Sequence, residues 1–341
     1  MALAWAVASF LIHELCSLDV WWQLAIGEDI LQHFRVPNTN LYSVAALDRP
    51  YHDSHWLFQV VLALFHRAVG LPGAVLLMAI VWGLTLTVLY REVRAFIKTA
   101  AATLLGFLVL GASAERFLPR PELVTFVMIV LFYSRLRRGR FETAGQIALL
   151  VLLQVIWLNS HGLFVIGPFM VGCYWLVEAV SFLRKRANRF KWLTVSLVSI
   201  CVSLLVTPHG LSALRYSLLL FSEVGSNAPE HMRQVNELSP VFGAAATGGS
   251  AVWFFIALLA LTVLGVALNF KQVPFARLLI VVGLGFAAFS GRRNIVLFAL
   301  VAAPFAAENL SVFITRLGAA RRVRLALKSL LGAILVVWSL Y

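Results

Sequence analysis

Residues 19–29 read DVWWQLAIGED and open a polar, aromatic and acidic stretch that continues to Trp56. All four aspartates of the chain lie in this stretch, at Asp19, Asp29, Asp48 and Asp53. The sequence around it is almost continuously apolar. Because polar groups at a bilayer edge cost free energy, the stretch indicates a functional loop. An ordinary solvated loop with an interfacial aromatic belt is the alternative.

The composition predicts an all-α, polytopic membrane protein. Hydrophobic residues make up 61% of the chain and charged residues 13%, against about 25% charged residues in soluble domains. Apolar runs of about 20 residues favour helices over a β-barrel. The net charge of +13 is explained by Lys and Arg in cytoplasmic loops, so no nucleic-acid partner is predicted. The three cysteines are isolated and are interpreted as small apolar residues.

Five basic clusters predict the topology, because Lys and Arg collect in cytoplasmic loops. They predict a single transmembrane domain over residues 1–341, with about 11 transmembrane helices and a cytoplasmic N-terminus. The first outer loop is predicted at 18–72 and a long outer loop at 208–250. The apolar residues 56–70 are short for a span and are interpreted as an interfacial helix in the first outer loop; a twelfth span is the alternative. The predicted spans are 1–17, 73–90, 99–114, 121–134, 143–159, 162–183, 192–207, 251–270, 275–290, 294–313 and 325–341.

The predicted outer turns carry mixed polar groups, whereas the cytoplasmic turns carry plain basic runs. Four arginines stand there against the positive-inside trend: Arg116, Arg120, Arg292 and Arg293. A guanidinium matches phosphate oxygens, so these side chains are candidates to bind a lipid-linked phosphate or diphosphate. Pairing with Glu115, Glu122 or the loop aspartates for stability is the alternative.

His161 and His209 each precede a glycine at the predicted outer end of a helix. A histidine there could bind phosphate, act as a base or ligate a metal, or it could simply cap the helix. No His-x-x-x-His or Asp-x-Asp pair stands at the spacing of metal ligands, although Asp53 and His55 are close in sequence. No cofactor is therefore predicted, and a divalent metal has no support from residue spacing.

The chain resembles the GT-C superfamily of membrane glycosyltransferases, in particular bacterial membrane proteins grouped with these enzymes. The resemblance rests on Asp19 after the first predicted helix, on the later interfacial helix and on a long later outer loop. It also rests on short motifs, which are Asp19-x-Trp-Trp-x-Leu-x-x-Gly, Pro37 to Tyr42-Ser43, Arg120-Pro121, Asn159-Ser160-His161-Gly162, Pro208-His209-Gly210 and Arg292-Arg293-Asn294.

The resemblance implies an inverting glycosyltransferase that uses a polyprenyl-linked sugar donor on the outer, periplasmic face of a bacterial inner membrane. Asp19 would be the general base. The leaving phosphate would be bound by Arg116, Arg120, His161, Arg292 and Arg293. Trp22 would stack on a sugar or seat the loop in the headgroups. Asp53, His55 and His209 are further substrate-binding candidates.

The chain departs from the GT-C pattern in two respects. Asp19 is followed by Val20, where many of these enzymes carry a second acid, and the chain ends at Tyr341 without a soluble domain. The expected partners are a lipid-linked sugar donor, membrane lipid and a partner protein that supplies acceptor recognition. Two other functions stay open, namely a non-catalytic GT-C-like scaffold subunit of a membrane complex and a lipid-linked glycan ligase or polymerase. A transporter is disfavoured because the predicted span centres are apolar.

Overall fold

A computed structural model of the protein describes residues 19–316, apart from 43, 45, 46, 48, 185–188, 216–235 and 243–248. The predicted spans at 1–17 and 325–341, and most of the predicted loop at 208–250, lie outside the described residues. The described residues are all-helical, with one isolated β-bridge between Thr39 and Pro50. Their α-helices are α1 Asp19–His33, α2 Trp56–Val69, α3 Pro72–Arg94, α4 Thr99–Ala112, α5 Glu122–Arg137, α6 Ala144–Leu158, α7 Ile166–Leu183, α8 Phe190–Ser203, α9 Ser250–Leu268, α10 Phe275–Ser290 and α11 Ile295–Arg316.

The helix boundaries have local causes. Pro72 opens α3, and Pro121 and Pro274 precede α5 and α10, as expected for a residue whose φ suits a helix start and which has no N–H to satisfy. At α6 the Thr143 hydroxyl accepts a hydrogen bond from the backbone N–H of Gln146 at 3.3 Å. This contact satisfies one of the N–H groups that a helix start leaves without a partner.

Four helical segments of the described chain are long and apolar enough to cross a membrane: Pro72–Arg94, Gly162–Leu183, Ser250–Leu268 and Arg292–Phe313. The other apolar helices, including α4, α6, α8 and α10, are shorter. The all-helical membrane class is thus confirmed, whereas the predicted number of about 11 spans is not. α2 has 14 residues, which is about 21 Å of helix and less than a bilayer core. Its position in the interface stays a prediction.

The chain divides into two compact units. The Asp19 unit contains the described residues within 19–85, 118–184 and 189–215. The Arg292 unit contains those within 86–117, 236–242 and 249–316. The boundary between segment 19–85 of the Asp19 unit and segment 86–117 of the Arg292 unit falls inside α3.

In the Asp19 unit, α1 packs along α2. This helix was not predicted, because residues 19–29 mix acids and tryptophans with apolar residues and resemble a loop. Val20 and Leu24 of α1 are buried against Phe58 and Leu62 of α2. The two backbones approach so closely at Gly27 that a β-carbon there would lie 2.2 Å from the carbonyl oxygen of Gln59. Elsewhere in this unit, α8 packs on α6 and α7, and α5 packs on α6 and α7.

In the Arg292 unit, α11 lies at the centre and contacts α4, α9 and α10. Its residues 295–303 are all buried. Polar contacts also cross this core. The side-chain amide of Asn269 donates a hydrogen bond to the side-chain oxygen of Asn309 at 2.8 Å. Arg277 of α10 pairs with Glu308 of α11 at 2.7 Å.

Candidate functional site

Asp19 begins α1 and forms an ion pair with Arg120, which lies in the turn before α5. Oδ2 of Asp19 is 2.9 Å from Nη2 of Arg120. The indole N–H of Trp22, one turn along α1, approaches Oδ1 of the same carboxylate at 3.4 Å. The Asp19 side chain is 42% exposed and that of Arg120 is 24% exposed, so a ligand in solution can reach both. Three predicted site residues therefore meet by direct contact.

Trp22 also lines a cavity of about 340 Å³ in the Asp19 unit. This volume falls in the range of small-molecule sites. Two backbone hydrogen bonds, from Asn40 N–H to the Arg49 carbonyl and from Tyr51 N–H to the Asn38 carbonyl, hold the lining residues Asn40 and Tyr51 in place. The residues that line the cavity are Trp22, Ile26, Pro37, Thr39, Asn40, Leu41, Tyr42 and Tyr51.

Tyr42 is fixed at the cavity by two hydrogen bonds. Its hydroxyl donates to the carbonyl oxygen of Ala25 in α1 at 3.1 Å, and its backbone N–H donates to the side-chain oxygen of Asn40 at 3.1 Å. Burial and the negative charge of Asp29 raise the pKa of Tyr42. The phenol of Tyr42 is therefore neutral at physiological pH.

Four histidines form two ring pairs in the same unit. The rings of His52 and His209 have centroids 3.9 Å apart, and those of His55 and His161 have centroids 5.6 Å apart. His209 Nε2 lies 2.9 Å from the backbone carbonyl of Asp53. A carbonyl only accepts, so this nitrogen carries a proton. The contact joins the segment after α8 to the segment before α2.

Asp53 is fully buried between these histidines and α2. Its Oδ1 accepts hydrogen bonds from the backbone N–H of His55 at 3.0 Å and from the Gln59 amide at 3.2 Å. Its Oδ2 has no hydrogen-bond partner among the residues that the structure describes. Burial raises the pKa of Asp53 to about 6, against the opposing effect of those two donors. A carboxyl group in this environment can bind and release a proton near neutral pH.

The two histidines that flank Asp53 are neutral at pH 7. Burial, and next the charge of His209, lowers the pKa of His52 to about 4. Burial, and next the charge of His52, lowers the pKa of His55 to about 4. His55 therefore does not offer a positive charge to a phosphate, and its predicted substrate contact is limited to hydrogen bonding.

His161 is held by a hydrogen-bond chain through α5 and α6. Its Nδ1 lies 2.7 Å from the Thr125 hydroxyl, which accepts from the Trp157 indole at 2.8 Å. Beside it, Asn159 donates to the carbonyls of Val155 and Val206 at 2.8 and 2.9 Å and accepts from Trp56 at 2.9 Å. No role was predicted from the sequence for Asn159 or Thr125, because the residues to which they hydrogen-bond are distant in the chain.

The other predicted arginines lie in the Arg292 unit, and Arg116 and Arg292 have carboxylate partners. Nη1 of Arg116 is 2.9 Å from Oε2 of Glu237, and Nη2 of Arg292 is 3.7 Å from Oε1 of Glu115. Both guanidinium groups are buried, with side chains 6% and 7% exposed. Arg293 is half-buried in the same turn as Arg292. Arg292 pairs with Glu115 and Arg120 with Asp19, as the alternative of pairing for stability expects, whereas Arg116 pairs with Glu237, which that alternative did not name. Phosphate binding by these arginines stays a prediction.

The predicted site residues therefore form three contact groups. Asp19, Trp22 and Arg120 form one, and Asp53, His55, His161 and His209 form the second, both within the Asp19 unit. The third, in the Arg292 unit, contains Arg116, Arg292 and Arg293. The described residues contain no cluster of three or more His, Cys, Asp or Glu side chains placed to hold a metal ion.

No protein-family model and no curated protein matches the chain. Its structure is similar to that of the oligosaccharyltransferase AglB from Archaeoglobus fulgidus in complex with an inhibitory peptide and a dolichol-phosphate, with a TM-score of 0.61 and 16% identity. It is also similar to two structures of an Archaeoglobus fulgidus oligosaccharyltransferase, one in the apo form and one tethered to an acceptor peptide containing the NVT sequon. Each has a TM-score of 0.56 and 14% sequence identity.

These similarities cover 99% of this chain but 53–54% of the solved proteins. The chain thus spans about half the length of the structures that it matches. At such low identity the similarity defines the fold, and it agrees with the GT-C resemblance of the sequence. The chain is therefore a multi-pass membrane protein whose fold is similar to that of these oligosaccharyltransferases.

Proposed function

We propose that the protein transfers a glycan from a lipid-linked donor to an acceptor, on the outer face of a bacterial inner membrane. The observation that carries this proposal is the exposed Asp19–Arg120 pair beside the cavity lined by Trp22. A dolichol-phosphate and peptides bind the oligosaccharyltransferases of the same fold. A polyprenyl-linked sugar is the corresponding donor class for this chain.

In the proposed reaction, an acceptor O–H or N–H group attacks C1 of the donor sugar. The bond from C1 to the lipid phosphate breaks, and its electron pair leaves with the phosphate. The acceptor proton passes to the Asp19 carboxylate, directly or through one water. Arg120 stabilises the charge that develops on the leaving phosphate. Attack on the face opposite the leaving group inverts the anomeric centre.

The ion pair gives this reaction an order. Asp19 and Arg120 neutralise each other before the donor binds, because their charged atoms are 2.9 Å apart. A donor phosphate competes with Asp19 for the same guanidinium, which prefers bidentate oxyanions. Donor binding then releases the carboxylate to accept the acceptor proton, so the donor binds before the acceptor.

The second candidate function is a non-catalytic scaffold subunit. The observation that favours it is that Arg116, Arg120 and Arg292 each have a carboxylate partner. Pairs of this kind stabilise a structure without any substrate. A scaffold depends on the shape of the fold and tolerates loss of Asp19, whereas the transferase does not.

The two functions are distinguished by transfer assays on the purified protein in nanodiscs. The wild type is given a panel of polyprenyl-phosphate and polyprenyl-diphosphate sugars with peptide, glycan and lipid acceptors. We expect Asp19→Asn to lower turnover at least about 100-fold, and Arg120→Lys to lower it less than Arg120→Gln because charge is kept. The matched control is Glu28→Gln, on the same helix as Asp19, which breaks the ion pair between Glu28 of α1 and Arg67 of α2. Transfer by Asp19→Asn at the wild-type rate removes the base assignment, and no transfer by the wild type with any donor supports the scaffold.

A further inference from the structure

The cavity beside Asp19 combines aromatic walls with few polar groups. Trp22 comes from α1, whereas Tyr42 and Tyr51 come from separate parts of the segment between α1 and α2. Thr39 and Asn40 add a hydroxyl and an amide to the same lining. We propose that this cavity binds a neutral sugar ring, with the aromatic faces against its C–H groups and Thr39 and Asn40 near its hydroxyls. The proposal rests on the proposed transferase function and names the glycan subsite of that reaction.

The aromatic rings are held in place before a ligand arrives. The Trp22 indole N–H is directed at the Asp19 carboxylate, 3.4 Å away, and the Tyr42 hydroxyl is bonded to Ala25 at 3.1 Å. Ring positions fixed by such contacts reduce the ordering cost of binding. Tyr42 is 50% exposed, so the cavity is accessible from outside.

The charges around the cavity favour a neutral ligand over an anionic one. Among the lining residues that the structure describes, none carries a charge. Carboxylates act on two of the lining residues, because Asp29 contributes to the raised pKa of Tyr42 and the Trp22 indole approaches Asp19 at 3.4 Å. A phosphate in the cavity would lack a cation and would face these carboxylates, whereas sugar hydroxyls need only donors and acceptors. The phosphate of a donor is better placed at Arg120.

Trp22 connects the cavity to the reacting groups. Its ring lines the cavity and its N–H is directed at Asp19, one helical turn away on α1. A sugar ring stacked on Trp22 therefore lies next to the pair formed by Asp19 and Arg120. The cavity is accordingly placed to orient the transferred sugar or the sugar of a glycan acceptor.

The test is direct binding of methyl glycosides of glucose, galactose, mannose and N-acetylglucosamine. Saturation-transfer NMR on the full-length protein in an amine-oxide detergent avoids competition from glycosidic detergents. We expect at least one glycoside to bind saturably, and Trp22→Ala and Tyr51→Ala each to weaken it about tenfold or more. Trp253→Ala is the matched control, because Trp253 is 70% exposed in the other unit, and it leaves the affinity unchanged. Asp19→Asn also retains binding while it loses transfer.

The outcomes separate the subsite from the proposed function. Glycoside binding that Trp22→Ala abolishes, in a protein that transfers nothing, upholds the subsite and overturns the transferase. Transfer activity without glycoside binding, or binding unaffected by Trp22→Ala and Tyr51→Ala, overturns the subsite alone. A third outcome also overturns the subsite. If a short polyprenol displaces the glycoside, and Trp22→Ala and Tyr51→Ala weaken the binding of both ligands equally, the cavity is a lipid groove.

Discussion

Oδ2 of Asp19 lies 2.9 Å from Nη2 of Arg120, so the first turn of α1 is joined by an ion pair to the turn before α5. The Asp19 side chain is 42% exposed, and exposed pairs contribute only about 0–1 kcal/mol to stability. The pair is therefore a weak structural element. We therefore expect the Asp19–Arg120 pair to act mainly in the binding of a substrate.

The Asp19–Arg120 pair is predicted to couple weakly in stability and strongly in function. In a double-mutant cycle with Asp19→Asn and Arg120→Gln, we expect a coupling free energy of unfolding of about 0.5 kcal/mol. Loss of glycan transfer in either variant is expected to be about 100-fold or more. Thermal unfolding and initial transfer rates are the measurements. A coupling above about 3 kcal/mol together with unchanged transfer would assign the pair to stability.

Asp53→Asn is predicted to stabilise the protein at pH 7. The pKa of Asp53 is about 6 in the folded protein, against an ordinary value of 3.8 for an aspartate. The folded state thus favours the protonated carboxyl, and this contribution is lost as pH rises from about 4 to about 6. Two pKa units correspond to about 3 kcal/mol, which sets the upper limit of the gain. The melting temperature at pH 7 should rise in Asp53→Asn but not in the surface control Glu28→Gln, and a lower melting temperature would contradict the prediction.

Acid is predicted to destabilise the Asp19 unit between pH 6.5 and pH 4. The pKa values of His52 and His55 are lowered from 6.5 to about 4. Their contribution is present above pH 6.5 and is lost as pH falls, because only the unfolded chain takes up the protons. Asp53 opposes this trend. Melting temperature against pH should therefore fall more steeply on the acid side in Asp53→Asn than in the wild type, and His52→Gln should flatten the curve. Parallel curves in the three proteins would refute the assignment.

Gly27→Ala is predicted to separate α1 from α2. A β-carbon at Gly27 would lie 2.2 Å from the backbone oxygen of Gln59, and a backbone atom cannot rotate away. We expect a loss of about 1–3 kcal/mol, measured as a lower melting temperature. Gly83→Ala is the matched control on α3, because its β-carbon meets nothing within 4 Å. That variant should be neutral or gain up to about 1 kcal/mol from helix propensity.

The loss of stability in Asn159 variants is predicted to depend on which hydrogen-bond donors each substitution removes. The amide group of Asn159 donates to two carbonyls, and its oxygen accepts from Trp56. Asn159→Ala removes these three part-buried side-chain hydrogen bonds and should cost about 2–4 kcal/mol. Asn159→Asp should cost more at pH 7, because it directs a carboxylate oxygen at the carbonyls of Val155 and Val206. Equal melting temperatures for the wild type and Asn159→Asp would contradict this network.

The apolar segments of this chain could be located from sequence, because a run of apolar residues is a local property. The prediction of a span at 162–183 coincides with the helical segment Gly162–Leu183, and that at 275–290 with α10. The class of membrane protein, the GT-C resemblance and the Arg- and His-rich turns follow from the same local patterns. The helix α1 was missed because its buried residues Val20, Gln23 and Leu24 alternate with acids and exposed tryptophan.

The composition of residues 19–29 by itself determined that a polar, aromatic segment stands between apolar ones. Which partner each charged side chain takes was decided only by the tertiary structure. Arg116 pairs with Glu237, 121 residues away, and Trp56 bonds to Asn159, 103 residues away. The physical reason is the range of the interactions. Hydropathy acts on neighbouring residues, whereas an ion pair or a hydrogen bond requires atoms to meet within about 3 Å, and only the packed helices bring these atoms together.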